Sequence, residues 1–126
     1  MAHLIPWSKS FDYKKLERID APTGRMYALP DGSRVPSVTT ILDRTKDKAA
    51  LKEWADRVGQ AEADRQKGEA AHVGTHMHLA LEHILSGEPW AVSPDWLALR
   101  GYEMAFRMAN RYFGAISEIH GSEVSL

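Results

Sequence analysis

Residues 60–85 read QAEADRQKGEAAHVGTHMHLALEHIL and run into Ser86-Gly87-Glu88-Pro89. Alanine, glutamate, glutamine and arginine dominate the first half, and these residues lose little on entering a helix. Ser-Gly-Glu-Pro is a stop signal: glycine accepts the left-handed turn that ends a helix, and proline cannot continue one. Gly68 and Gly74 each cost about 1 kcal/mol relative to alanine in a helix interior. The stretch is therefore one long helix or two with a break, and in a chain of 126 residues it makes the fold mainly α.

Upstream, Asp47 is placed to cap a segment carrying Ala50, Leu51, Trp54, Ala55 and Val58 at helical spacing, ending near Gly59. Before it, Ser37 is a possible N-cap for a short helix over Val38-Thr39-Thr40-Ile41-Leu42, despite the β-branched residues. Pro30-Asp31-Gly32-Ser33 is a turn signal between two short runs, which predicts a small N-terminal β-hairpin. Pro30 and Pro36 lack the amide a ladder needs, so its strands should be short and at an edge. Downstream, Ser93-Pro94 supplies an N-cap and a first-turn proline. Leu97, Gly101, Met104, Met108, Tyr112, Ala115 and Ile119 then hold one helical face until Gly121, and Glu123-Val124-Ser125-Leu126 reads as the start of a strand. The expected architecture is three to four helices, a short N-terminal β-hairpin and a C-terminal strand start. It is read as one domain over 1–126, with an N-terminal segment to 44, a helical region over 45–120 and the strand start at 121–126.

Composition narrows function by exclusion. With 44% hydrophobic and 26% charged residues the chain should bury a core. No apolar run approaches the roughly 18 residues that cross a bilayer, and residues 1–10 lack the pattern of a secretory leader, so a cytoplasmic protein without membrane contact is expected. The absence of cysteine removes disulfides, thiolate catalysis and cysteine-ligated metals. Sixteen basic against 17 acidic residues give a net charge of -1, so any nucleic acid must be met by a local patch. Residues 1–44 carry seven basic and five acidic residues, a net of +2, and the remainder nine against twelve, a net of -3. An asymmetry this mild fits an ordinary solvated face better than a phosphate-binding patch.

Four of six histidines lie within twelve residues: His72, His76, His78 and His83. At about 100° per residue, Ala70, Met77, Leu81 and Ile84 share the expected core face, and His72, His76 and His83 fall on a stripe expected to face solvent. His78 and Glu82 sit one turn apart on a third stripe, at the border of the core face. Such a pair can hold one divalent cation between an imidazole nitrogen and a carboxylate oxygen, or the carboxylate can orient the ring. On spacing alone an ordinary helix pair worth a few tenths of a kcal/mol is the commoner case. His72 and His76 could take up zinc adventitiously, but His-Val-Gly-Thr-His lacks the glutamate of a zinc-protease motif. No phosphate-cradling glycine pattern and no nucleophile elbow occurs. Trp54 is expected in the core, and Trp90 under the 86–93 loop.

Gly24-Arg25-Met26-Tyr27, Pro30-Asp31-Gly32, Pro36-Ser37-Val38-Thr39-Thr40-Ile41-Leu42, Leu51 with Trp54, Gly59, Ala70-Ala71, Gly74-Thr75-x-Met77-His78 and Glu82 with Leu85 follow one another in order. The succession resembles the N-terminal half of RecB-like exonucleases of the PD-(D/E)XK nuclease superfamily, a group with phage-encoded members and the mitochondrial genome maintenance exonuclease. The resemblance covers residues 11 to 126 and implies the helical portion of an α/β nuclease without its catalytic sheet. It implies a metal-site role for His78, with Glu82 at the acidic position one turn later. It also implies one or two Mg²⁺ or Mn²⁺ ions activating water for phosphodiester hydrolysis, held mainly by a strand Asp and a Glu-x-Lys. Glu123 matches the acidic position of the first strand of that core.

No Glu-x-Lys occurs in the sequence, and its one Asp-x-Lys, Asp12-Tyr13-Lys14, precedes the helices. The expectation is a metal-dependent DNA exonuclease part that is inactive or incomplete by itself. The alternative is a non-catalytic phage protein on that scaffold, binding DNA or inhibiting a host nuclease or defence complex; a small helical oligomer without a site is the blandest option. Without the sheet, Met77, Leu81, Met104, Met108 and Tyr112 need cover from a helix, a second copy in a homodimer or a protein partner. Any DNA contacts fall to Arg25, Arg34, Lys46 and Lys48, holding the backbone without base readout.

Overall fold

The computed structural model describes residues 5–8 and 13–122. They group into two compact units, residues 13–54 and residues 55–122 with 5–8. The fold is mainly helical with a short antiparallel sheet near the N-terminus, as the sequence predicts.

In the first unit, β1 (Glu17–Ala21), β2 (Gly24–Ala28) and β3 (Arg34–Pro36) form a sheet in the order β1-β2-β3, with Arg18 opposite Tyr27 and Tyr27 opposite Val35. The predicted hairpin is β2-β3, and a second hairpin precedes it. Pro22-Thr23 turns the chain into Gly24, whose φ of 124° is open to glycine and strained for other residues. Asp31 stabilises the β2-β3 turn by accepting from the Ser33 amide at 2.9 Å and the Ser33 hydroxyl at 2.5 Å, and these bonds hold its carboxyl below the usual range. Pro36 is confined to the edge strand, as expected.

α1 (Val38–Thr45) starts where the sequence puts it. Ser37 Oγ accepts from the Thr40 amide at 3.1 Å, and the Thr40 hydroxyl donates to the Arg25 carbonyl on β2 at 2.9 Å. The Ser37 amide donates to the same carbonyl at 3.0 Å. A Cβ at position 24 would stand 2.7 Å from Thr40 Cγ2, so Gly24 also gives Thr40 its space. The Pro-Ser-Val-Thr-Thr run thus has a structural task here: serine caps the helix and the second threonine ties it to the sheet. α2 (Ala49–Val58) follows, with the Ala49 amide donating to Asp47 Oδ1 at 2.9 Å as predicted. Trp54, Ala55 and Val58 are half-buried, whereas Ala50 and Leu51 of the same predicted stripe are exposed.

In the second unit α3 (Gln60–Ser86) is one unbroken helix of 27 residues. Neither Gly68 nor Gly74 breaks it, and Gly59 (φ 92°) and Gly87 (φ 72°) bound it. α4 runs Trp96–Tyr112 and continues as a 3₁₀ turn over Phe113–Ala115. Its cap is Asp95, whose carboxylate accepts from the Leu97 amide at 3.0 Å. Ser93 is not the cap as the sequence suggests; its amide donates to the Tyr102 hydroxyl at 3.0 Å and fixes the loop.

The α3–α4 contact is built from small residues: Ala80, Ala98 and Ala105 are fully buried around Tyr102, with Met77, Leu81, Ile84 and Trp90 packed against them. This shifts the face expected for α4, of which Gly101 is buried as predicted. Met104, Met108 and Tyr112 are 43–58% exposed, because Ala98, Gly101, Tyr102 and Ala105 carry the contact. Gly101 permits the approach: a Cβ there would lie 2.5 Å from the Val73 carbonyl oxygen and 2.9 Å from the Met77 amide nitrogen. Met77 and Leu81, expected to need cover, receive it from α4.

Residues 5–8 join this unit through a parallel bridge between Trp7 and Ile119, with Ser8 donating to Ile119 at 2.7 Å and Ile119 to Pro6 at 2.8 Å. Ile5 and Ile119 are buried. Glu123 and the strand start at 123–126 lie outside the described residues. Among the described residues no helix is long and apolar enough to cross a membrane.

Candidate functional site

The histidine-rich half of α3 presents two different environments. His78 and Glu82 lie one turn apart and are both exposed, rather than at a half-buried border. Position 82 faces solvent because the buried ridge of α3 runs through Val73, Met77, Ala80 and Ile84, closer to the His72 stripe than the sequence suggests. The phase was set by α4: its close approach at Gly101 centres the contact between Val73 and Met77.

The same rotation changes the other three histidines. His72 is exposed as expected, but His76 and His83 are half-buried. The His83 ring stacks on Trp90 with centroids 5.3 Å apart and planes 15° from parallel. His76 packs edge-on to Tyr102 at 5.7 Å, and Trp90 meets Tyr102 at 6.4 Å. Imidazoles fill this contact as flat, mostly apolar bodies between aromatic rings. Trp90 accordingly packs on α3 itself.

The loop over residues 87–95 runs back along α3, so that Trp90 reaches His83 and Asp95 reaches His72. Asp95 Oδ2 meets His72 Nε2 in a short hydrogen bond, while Oδ1 caps α4. The Leu97 amide is the main reason the Asp95 carboxyl lies below its usual range, with His72 and His76 adding to it. The His72 and His76 rings are 4.6 Å apart. One donor atom each from His72, His76 and Asp95 falls within 4.8 Å of the others. Asp95 was not among the residues singled out from the sequence. Local patterning carries no signal for it, since 23 residues and a loop separate it from His72.

Beside this face, Gln66, Glu69, Ala70, Val73, Gly74, Arg100 and Met104 line an open groove of about 430 Å³. Near its rim Arg65 bridges Glu62 and Glu69, each at 2.6 Å. The Arg65 guanidinium, with help from Gln66, holds the Glu62 carboxyl down to about 2.

The four candidate DNA contacts all belong to the 13–54 unit. Arg25 is half-buried on β2, 3.7 Å from Asp20, and Lys48 pairs with Asp43 at 3.1 Å. Arg34, on the edge strand, and Lys46, at the end of α1, are exposed and make no ion pair with a described residue. Comparison of the chain with protein-family models, with curated proteins and with solved structures gives no match.

Proposed function

We propose that this chain is the N-terminal helical part of a metal-dependent DNA exonuclease of the RecB-like type, with His78 and Glu82 contributing to the metal site. The observation that carries the reading is the exposure of both side chains, one turn apart on an unbroken 27-residue helix, where a cation and a phosphodiester could reach them. An α-helix sets the Cβ atoms of residues one turn apart about 5–6 Å from each other, close enough for an imidazole nitrogen and a carboxylate oxygen to meet on one Mg²⁺ or Mn²⁺. With no Glu-x-Lys in its sequence, the segment offers at most a partial ligand set and hydrolyses DNA weakly or not at all by itself. Arg34 and Lys46, without acidic partners among the described residues, would supply backbone contacts.

The test is retention and digestion of single- and double-stranded DNA with Mn²⁺, using the purified chain, His78→Ala and an EDTA control. The reading expects Mn²⁺-dependent DNA binding that weakens in His78→Ala and at higher salt, with little or no digestion. DNA binding or cleavage indifferent to both EDTA and His78→Ala would overturn it.

A second reading, a non-catalytic binding protein on the same scaffold, is favoured by one feature of α4. Outside its alanine seam it exposes Trp96, Leu99, Phe106, Met108 and Tyr112 at 43–60%. Stoichiometric, metal-independent capture of a purified host nuclease would favour this reading over the first.

A further inference from the structure

We propose that His72, His76 and Asp95 form a binding site for a late first-row divalent cation, with Zn²⁺ as its representative, where the start of α4 meets the middle of α3. The site is separate from the His78–Glu82 pair and stands whether or not the nuclease reading holds. Its donors are two imidazole nitrogens and one carboxylate oxygen, mutually within 4.8 Å. That set suits Zn²⁺ and its neighbours, whereas Mg²⁺ asks for oxygen ligands. Tetrahedral zinc with bonds of about 2.0–2.2 Å places its ligands about 3.4 Å from one another. Seating the ion requires the hydrogen-bonded His72–Asp95 pair to part and the wider pairs to draw in, by rotation of the three side chains.

Three features prepare the donors. The i,i+4 spacing of His72 and His76 on α3 puts both rings on one side of a rigid helix, 4.6 Å apart. Asp95 divides its carboxylate, with Oδ1 held by the Leu97 amide at 3.0 Å and Oδ2 turned to His72, so the helix cap orients the ligand oxygen. The His76 ring is fixed edge-on to Tyr102, and its buried Nδ1 has no hydrogen-bond partner among the described residues.

The convergence depends on Gly101. Lacking a Cβ, it lets α4 lie against the Val73–Met77 turn of α3, and this sets Asp95 over His72 one and a half turns earlier. The His72 and Asp95 side chains remain 43% and 36% exposed, which leaves an entry path and room for water as a fourth ligand. On binding, the cation takes the place of the hydrogen now shared between His72 Nε2 and Asp95 Oδ2, and that proton passes to Nδ1 of the ring or to water.

The experiment is Zn²⁺ titration of the untagged, EDTA-stripped chain, read by competition with a chromogenic chelator and by melting temperature, with Mg²⁺ as a second arm. Co²⁺ gives a visible spectrum that reports ligand geometry. His72→Ala removes an exposed ring. Asp95→Asn removes the charged ligand but keeps the cap, because Asn caps a helix as well as Asp. The expected result is one Zn²⁺ per chain with a dissociation constant below about 10 μM. Zn²⁺ should raise the melting temperature, Mg²⁺ should not, and each variant should bind roughly tenfold more weakly or worse. The Co²⁺ spectrum should collapse in both variants. Absence of saturable Zn²⁺ binding in that range would overturn the site. So would unchanged affinity in either variant, because the corresponding side chain would then be no ligand.

Discussion

Three glycines lie inside the long helices, and replacing them by alanine should move stability in opposite directions. Gly68 and Gly74 on α3 have no atom within 4 Å of an added Cβ. Alanine there gains helix propensity, about 1 kcal/mol at each site. Gly101 on α4 gains the same propensity but meets backbone: its Cβ would lie 2.5 Å from the Val73 carbonyl oxygen, 2.9 Å from the Met77 nitrogen and 3.2 Å from His76 Cβ. Ordinary contact begins near 3.4 Å, so the overlap with the carbonyl approaches 1 Å. Backbone cannot rotate away as a side chain would, and α3 and α4 must part. Parting loosens the alanine seam of Ala80, Ala98 and Ala105.

Overpacking of this kind costs about 1–3 kcal/mol, and the upper end applies because two of the three obstacles are backbone. Less the propensity gain, Gly101→Ala should lose about 2 kcal/mol while Gly68→Ala gains up to about 1. Urea unfolding followed by helical circular dichroism measures both, with the midpoint shift read at constant m-value. Gly101→Ala as stable as the parent, moving in step with Gly68→Ala, would refute the close helix contact.

Ser37→Ala should destabilise the 13–54 unit by about 1 kcal/mol, since it removes the cap on the Thr40 amide and a hydroxyl that bonds Thr39 and Thr40 at 2.9 Å. Hydrogen exchange should quicken first at the start of α1; unchanged exchange there would count against the cap. Glu62 should titrate near pH 2 rather than at its ordinary value of about 4.5. A depressed carboxyl stabilises the folded state fully above the unfolded value, so the contribution of the pair to helix stability should fade as pH drops from about 4.5 through 2. Because the group is exposed, added salt should bring its titration, followed by carboxyl carbon NMR, back toward normal. A salt-independent titration would contradict an exposed ion pair.

Much of the fold is legible residue by residue because the signals are local. Ser37 and Asp47 each act on amides two or three residues away, and Gly87 ends α3 with a backbone turn. The first hairpin was also within reach, since Pro22-Thr23-Gly24 carries a turn signal that the stronger Pro30-Asp31-Gly32-Ser33 overshadows. Helical periodicity identified α3 and α4 as amphipathic but misplaced their buried faces. It weights large apolar residues such as Met104, Met108 and Tyr112, while two helices in close contact favour Ala98, Gly101 and Ala105.

The sequence by itself determined the starts of α1 and α2 at Ser37 and Asp47 and the end of α3 at Gly87, because caps and turn glycines act over one to four residues of chain. Only the tertiary structure decided which glycine was a contact and which merely a helix residue, that His76 and His83 turn inward, and that Asp95 stands beside His72. Those outcomes depend on the separation and rotation of one helix against another, which no spacing within a single helix encodes.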